Sequence, residues 1–216
     1  MIVKKILVID FTYIMNNVIR TYADRVNLSE NSTIQWRKLK EYYGFDTDIV
    51  KYDAGSYKKI MALVAKAAAL RSNYTTTVDM AIKVKELVRD KDYNYDITNI
   101  DFFDDVNFCQ PNSSKFNDLN WIKYLRNKNR VEKYTWINCY NSSRDYNNTD
   151  IDEVLRLDNI DDIDLRSYDE IIFTFSQLFV PYEYKPLFDI IPIILDNVQN
   201  TLDNTYYQSI YNTEGE

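Results

Sequence analysis

Three carboxylates follow a buried apolar run near the middle of this 216-residue chain, in the segment NIDFFDD at residues 99–105. On an extended backbone Asp101 and Asp105 point to one side and Asp104 to the other. Asp101 and Asp105 could therefore approach a single cation, and sites made only of carboxylates suit hard ions such as Mg²⁺, Mn²⁺ or Ca²⁺. Acid clusters at strand ends also occur as plain solvated turns, so the spacing alone fits either interpretation.

The absence of histidine removes several kinds of chemistry from this chain. It cannot by itself build a Ser-His-Asp or Cys-His nucleophile site, nor a His-ligated zinc or iron site. With only 3 glycines it also lacks the closely spaced glycines of a GxGxxG fingerprint or a Walker A loop. Carboxylate, lysine or tyrosine chemistry remains, and so does binding without chemistry.

Charge and hydropathy restrict the partners. A net charge of −7 disfavours non-specific binding of nucleic acid. The acidic segment 145–170 and the basic segment 115–133 form either solvated faces or a bipolar surface that steers a protein partner. The chain has neither a signal peptide nor an apolar run near the roughly 20 residues of a membrane span. We therefore expect a cytoplasmic protein that does not contact a membrane.

Apolar, β-branched runs predict the strands that position the acids, at residues 4–11, 95–103, 134–140 and 169–175, with a short edge strand at 154–157. Helical periodicity predicts helices at 56–70, 80–90, 119–130 and 183–199, and a helical pattern also starts directly after Asp10. We interpret Thr75, Thr76 and Thr77 as the start of the second of these helices, with Asp79 in its first turn. Alternating strands and helices predict a three-layer α/β/α fold with a mainly parallel central sheet. We assign residues 1–200 to one α/β domain and 201–216 to a loose polar tail.

Several polar residues end these predicted strands. Because the carboxyl ends of parallel strands meet at one edge of a sheet, where α/β proteins bind ligands, we expect the strand-end residues to share one concavity. They are Asp10, Asp101, Asp104, Asp105, Ser176 and Gln177. The predicted core includes Trp121, Trp136, Ile172 and Ile191.

The segment 99–105 resembles the Asp-x-His-x-Asp metal motif of the arginase, agmatinase and deacetylase-like (ureohydrolase) fold. An uncharacterised branch of that superfamily has a strand reading roughly Asn-Ile-Asp-Phe-His-His-Asp. The likeness extends to residues 6–11, 13–15, 120–125, 134–137 and 180–184, in the expected order. It implies an arginase-like fold in which Asp101 and Asp105 are the motif aspartates and Phe103 replaces the ligand histidine. The family's second Asp-x-Asp pair would fall at residues 173–178, which contain no carboxylate.

Two functions follow as expectations. The first is a non-catalytic descendant of the ureohydrolase-like fold, a pseudoenzyme without a cofactor that binds another macromolecule, most simply a protein. The abundance of Asn, Ile and Tyr, which have AT-rich codons, fits a bacteriophage source, so this protein would be a phage accessory protein in the host cytoplasm. Asp101 and Asp105 would then be a weak or vestigial metal pair. The alternative is a carboxylate-dependent hydrolase that holds one Mg²⁺ or Mn²⁺ ion and cleaves an amide or a phosphoester.

Overall fold

The computed structural model describes residues 2–15, 36–38, 41, 52–101, 120–138, 151–156, 160–177 and 179–213. The strands within these ranges are β1 (Ile2–Asp10), β2 (Tyr74–Thr77), β3 (Tyr93–Asp101), β4 (Val131–Asn138), β5 (Glu153–Arg156) and β6 (Glu170–Thr174). The α-helices whose bounds lie within these ranges are α1 (Ala54–Ala69), α2 (Met80–Arg89), α3 (Trp121–Asn127) and α4 (Lys185–Thr213). Short 3₁₀ turns lie at Phe11–Ile14, Ile160–Asp162, Leu165–Ser167 and Tyr182–Tyr184.

The described strands form one parallel sheet in the order β2-β6-β1-β3-β4-β5. The central strands coincide with the predicted runs, whose Ile, Leu, Val and aromatic side chains cover both faces of the sheet, while polar residues such as Asn99 and Thr135 are buried among them. The predicted α/β class, with a mainly parallel central sheet, is confirmed.

Helices cover both faces of the sheet. One face packs on α1 and α4 through a cluster that includes Leu63 and Ile191. The other face packs on α2 and α3 through a second cluster that includes Leu87 and Trp121. This gives the three predicted layers. The four core residues predicted from the sequence are all buried: Trp121, Trp136, Ile172 and Ile191.

The connections leave β1 and β3 in opposite directions. The chain leaving β1 leads to α1 on one face and on to β2, whereas the chain leaving β3 leads to α3 on the other face and on to β4. Since β1 and β3 are neighbours, their carboxyl ends flank a topological switch point, which is where open α/β sheets form a ligand crevice.

The structure corrects the prediction at Thr75–Thr77. These residues belong to strand β2, which pairs with β6, and Asp79 is the N-cap of α2, whose side chain accepts a hydrogen bond from the Ala81 N–H. A short run of half-buried threonines carries both a strand signal and a capping signal, and here pairing with the buried β6 decides between them.

Two segments, the one after Asp10 and the final helix, also differ from what helical periodicity predicted. After Asp10 the chain makes a 3₁₀ turn, and Met15 then pairs with Tyr52 in an isolated antiparallel bridge. The final helix continues to Thr213, beyond its predicted end at 199, while the division into a domain and a tail at residue 201 stays a prediction. Within the described ranges, none of the helices has the length and apolar character needed to cross a membrane.

Candidate functional site

Two buried aspartates stand side by side at the carboxyl edge of the sheet. Ile9 of β1 pairs with Ile100 of β3, so Asp10 and Asp101, one residue further along each strand, lie at the same level. Their side chains point to the same face because residues in register on neighbouring parallel strands share a face. Asp10 is 5% exposed and Asp101 is 2% exposed. The carboxylates therefore meet at the switch point between β1 and β3.

Thr12 links the two carboxyl groups. Its backbone N–H donates to Oδ1 of Asp10 over 2.8 Å, which makes Asp10 the N-cap of the 3₁₀ turn that follows β1. Its hydroxyl donates to Oδ1 of Asp101. The Oγ of Ser176, in the segment after β6, donates to Oδ2 of Asp10 over 2.5 Å. These contacts fasten the ends of β1, β3 and β6 to one another.

An aromatic cluster fixes the backbone on which Asp10 and Ser176 sit. Phe11, next to Asp10, lies 6.0 Å from Phe175, next to Ser176, between ring centroids. Phe188 of α4 packs against both rings, at 5.6 Å from Phe11 and 5.5 Å from Phe175. Strand alternation turns the phenyl rings to the α1–α4 side and the polar side chains to the opposite side. The site is thus held by packed rings.

Burial raises the pKa of Asp10 well above its usual value of 3.8, and the nearby charge of Asp101 raises it further. Hydrogen bonds from Ser176 and Thr12 act in the opposite direction, because they stabilise the carboxylate. The raised pKa means that the folded protein favours either a proton on Asp10 or a positive group beside it.

Other polar side chains lie in line with Asp10 and Asp101 on the neighbouring strands, and together they form a row across the carboxyl edge of the sheet. Thr174 of β6 pairs with Asp10, and Asn138 of β4 pairs with Asp101. Both are buried. Trp136 lies beneath this row, and its indole N–H donates to the backbone carbonyl of Asp101 over 3.1 Å. The carboxyl edge therefore presents carboxylates, hydroxyls and an amide on one face of the central strands.

The predicted site residues fall into three groups. Asp10, Asp101 and Ser176 come together as the strand ends predicted. Gln177 is placed next to Ser176, and its backbone carbonyl accepts a hydrogen bond from the Trp36 indole. Asp104 and Asp105, together with Phe103, lie outside the described residues, so their part of the prediction stays a prediction.

Thr12 is the main participant that the sequence reasoning missed. Its signal was its position two residues after a strand-ending aspartate, since Asp side chains commonly accept a hydrogen bond from the N–H two residues on. Asn138 ends β4 as Asp10 and Asp101 end their strands, but the predicted strand at 134–140 placed it two residues before the strand end.

The donor set of this site is made of oxygen atoms, which suits a hard cation. Within the described ranges, no group of three or more Asp, Glu, Cys or His side chains is placed to hold a metal ion. The residues described thus supply two carboxylates, which Mg²⁺ accepts because it keeps several of its own waters. They do not assemble a two-metal centre of the ureohydrolase kind.

No family model matches the chain, and no curated protein or solved structure matches it. Membership of the ureohydrolase-like superfamily therefore stays a prediction based on the residues that carry the resemblance.

Proposed function

We propose that the chain binds one divalent cation, Mg²⁺ or Mn²⁺, between Asp10 and Asp101, and that this site serves hydrolysis of an amide or a phosphoester. The observation that carries the proposal is the register of the two buried aspartates on neighbouring strands whose connections leave toward opposite faces of the sheet, at a topological switch point. Two like charges this close and this buried repel one another, and a cation between them removes the repulsion.

Each residue of the site has a distinct role in this proposal. Asp10 and Asp101 would be the protein ligands, and water would complete the coordination. A bound cation lowers the pKa of a coordinated water and neutralises charge that develops on the substrate. Ser176 and Thr12 are positioning residues, because their hydroxyl groups fix the rotamers of the two carboxylates. The neighbouring aromatic cluster keeps the strand ends from moving apart.

Calorimetric titration of metal-free protein with MgCl₂ and MnCl₂ tests the binding step. We expect one ion per chain, with a dissociation constant of about 0.1–1 mM, as for weak oxygen-ligand sites. Asp10→Asn and Asp101→Asn should each weaken binding about tenfold or more, since each removes a charged ligand. Asp92→Asn, in an exposed turn at the other edge of the sheet, is the matched control and should bind as the wild type does. Equal binding by all four proteins, or no binding by the wild type, would refute the proposal.

A second candidate is binding of another macromolecule, most simply a protein, without catalysis. The observation that favours the non-catalytic part of this candidate is that the chain's own groups already donate to both carboxylates: Thr12 to Asp10 and Asp101, and Ser176 to Asp10. Such contacts tie three strand ends together without a cation. This candidate predicts that Asp101→Asn leaves complex formation with the partner unchanged in size-exclusion chromatography with light scattering. The hydrolase proposal predicts loss of cation binding in the same variant.

A further inference from the structure

A cavity of about 650 Å³ lies at the amino edge of the sheet, on the side opposite to Asp10 and Asp101. Its walls are the turn after α1, the 3₁₀ turn Leu165–Ser167 and the first residues of β6. Lys4 of β1 lines it, and Asp10 lies six positions further along the same strand, a distance of roughly 20 Å. The volume falls within the range of about 300–1,000 Å³ that is typical of small-molecule sites.

Three cationic side chains line this cavity in an otherwise acidic protein: Lys4, Arg71 and Arg166. Arg166 lies in an exposed turn, and within the described ranges its guanidinium makes no ion pair or hydrogen bond. Lys4 has only a long contact of 3.8 Å with Asp90, and its ammonium group sits over the Tyr93 ring. The guanidinium of Arg166 is therefore available to a ligand in the cavity, whereas Lys4 would share its charge with Asp90 and the Tyr93 ring.

The two acids on the cavity wall are already engaged by other groups. Asp169 accepts a hydrogen bond from the Lys5 backbone N–H over 2.8 Å. Glu170 pairs with Lys83 over 2.7 Å and accepts from the Thr75 hydroxyl over 2.6 Å. Lys83 therefore compensates much of the charge of Glu170, while Asp169 keeps its negative charge, and the cavity lining carries three cations against two carboxylates.

Arg71 occupies a backbone position that favours glycine. Its φ is 51°, and it follows α1 in a paired C-terminal cap, in which Arg71 N–H donates to Ala68 and Ser72 N–H donates to Ala67. Glycine is the usual residue at this position of such a cap, because a Cβ is unfavourable in the left-handed region. An arginine here costs stability while it places a guanidinium on the cavity wall.

We propose that this cavity is a second binding site, for a small organic phosphate of about nucleotide size. Guanidinium groups match the oxygens of a phosphate in a forked geometry, which explains why two arginines rather than lysines provide most of the charge. Ser72 and Asn73 add hydroxyl and amide groups, and Leu70 and Leu165 offer apolar wall for the rest of the ligand. A cavity of this volume exceeds what inorganic phosphate alone would fill.

Calorimetric titration with AMP, ribose 5-phosphate, inorganic phosphate and adenosine tests the site. We expect at least one of the two organic phosphates to bind with a dissociation constant of about 1 mM or tighter, more tightly than inorganic phosphate and than adenosine. Absence of binding by both organic phosphates, or equal binding of adenosine and AMP, would overturn the proposal.

Two variants locate the binding. Arg71→Gly should weaken binding of the organic phosphate about tenfold or more while the melting temperature stays equal or rises, because glycine suits the backbone there. Arg166→Gln should weaken it similarly. Arg37→Gln, an exposed arginine beside Trp36 near the carboxyl edge, is the matched control and should leave binding unchanged. Binding that survives both Arg71→Gly and Arg166→Gln would place the ligand elsewhere. Asp10→Asn should not affect binding of the organic phosphate, because Asp10 lies at the opposite edge of the sheet. A failure of the phosphate proposal can therefore be distinguished from a failure of the cation proposal.

Discussion

Asp10 and Asp101 end neighbouring parallel strands at the same level, and each is held by a different group of Thr12. The Thr12 amide donates to Asp10 and the Thr12 hydroxyl donates to Asp101. Thr12 therefore positions both carboxylates but carries no charge that would neutralise them. In the absence of a cation, the folded protein bears the cost of two buried acids whose charges oppose one another.

Asp10→Asn is expected to stabilise the protein at neutral pH. The folded-state pKa of Asp10 lies well above 3.8, so the folded protein binds more protons than the unfolded chain as pH rises from that value to the folded pKa. Wild-type stability therefore falls across this interval, whereas the asparagine variant has no such loss. A gain of about 1 kcal/mol would raise the melting temperature by roughly 2–4 °C for a chain of this size.

Melting curves at pH 4 and pH 8 without divalent cations check this prediction. The advantage of the variant should be larger at pH 8. An Asp10→Asn protein that melts below the wild type at pH 8 would mean that the charged carboxylate stabilises the fold.

Ser176→Ala should raise the pKa of Asp10 further. The Ser176 hydroxyl donates to Oδ2 of Asp10 and so favours the ionised form. Carboxyl ¹³C chemical shifts followed through a pH titration report the pKa directly. Ser167→Ala, in a turn at the other edge of the sheet, is the control and should leave the Asp10 titration unchanged. An Asp10 pKa that stays the same in Ser176→Ala would show that this hydrogen bond is absent in solution.

The sheet was predictable from the sequence where burial dictates composition. β1 and β6 contain continuous apolar runs because both faces of a central strand are covered, whereas β3 and β4 mix apolar and aromatic residues with polar ones such as Asn99 and Thr135. β2 was not predictable in this way. It is four half-buried residues at the edge of the sheet, and its threonines serve equally well in a cap or a strand. What fixes it is pairing with β6, a contact between residues almost a hundred positions apart in the chain.

From the sequence, only those site residues that end a predicted strand could be assigned to the site. Asp10 and Asp101 each close an apolar run, so a parallel sheet brings them to one edge. The level at which they meet depends on the β1–β3 register, which the positions of the strand ends alone do not specify. The placement of Thr12 between the two carboxylates depends in addition on the 3₁₀ turn at Phe11–Ile14. The helical pattern after Asp10 had predicted an α-helix there.

Trp136→Ala should destabilise the protein by about 3–5 kcal/mol, the usual cost of truncating a large buried aromatic residue. Trp136 is fully buried against the α2–α3 layer, and its indole donates to the Asp101 carbonyl. Urea unfolding measures the change in the free energy of unfolding. Trp136→Phe keeps most of the apolar contact and loses the hydrogen bond, so its cost should be clearly smaller. Equal unfolding midpoints for the alanine variant and the wild type would contradict the assigned packing.

Tyr74→Phe should weaken the attachment of α4 to the sheet in a manner that depends on pH. The Tyr74 hydroxyl donates to Asp196 of α4, and this hydrogen bond, together with burial and the Asp196 charge, raises the pKa of Tyr74 from 10.0 to about 12. The stabilisation is therefore fully present below pH 10 and is lost as pH rises toward 12. At pH 7 the variant should be less stable by about 1 kcal/mol, a modest value because the hydrogen bond is partly exposed.

Urea unfolding of the wild type and Tyr74→Phe at pH 7, 10 and 11 tests this link between β2 and α4. The difference in the free energy of unfolding should be constant up to about pH 10 and smaller at pH 11, where the folded tyrosine begins to resist ionisation that the unfolded chain undergoes. Asp196→Asn keeps an acceptor but removes the charge, so it should lower the Tyr74 pKa toward 10.0 in an ultraviolet titration. A difference that stays constant through pH 11 would mean that Tyr74 and Asp196 do not interact in solution, and that α4 is held to the sheet by apolar contacts such as those of Ile191 and Leu195 alone.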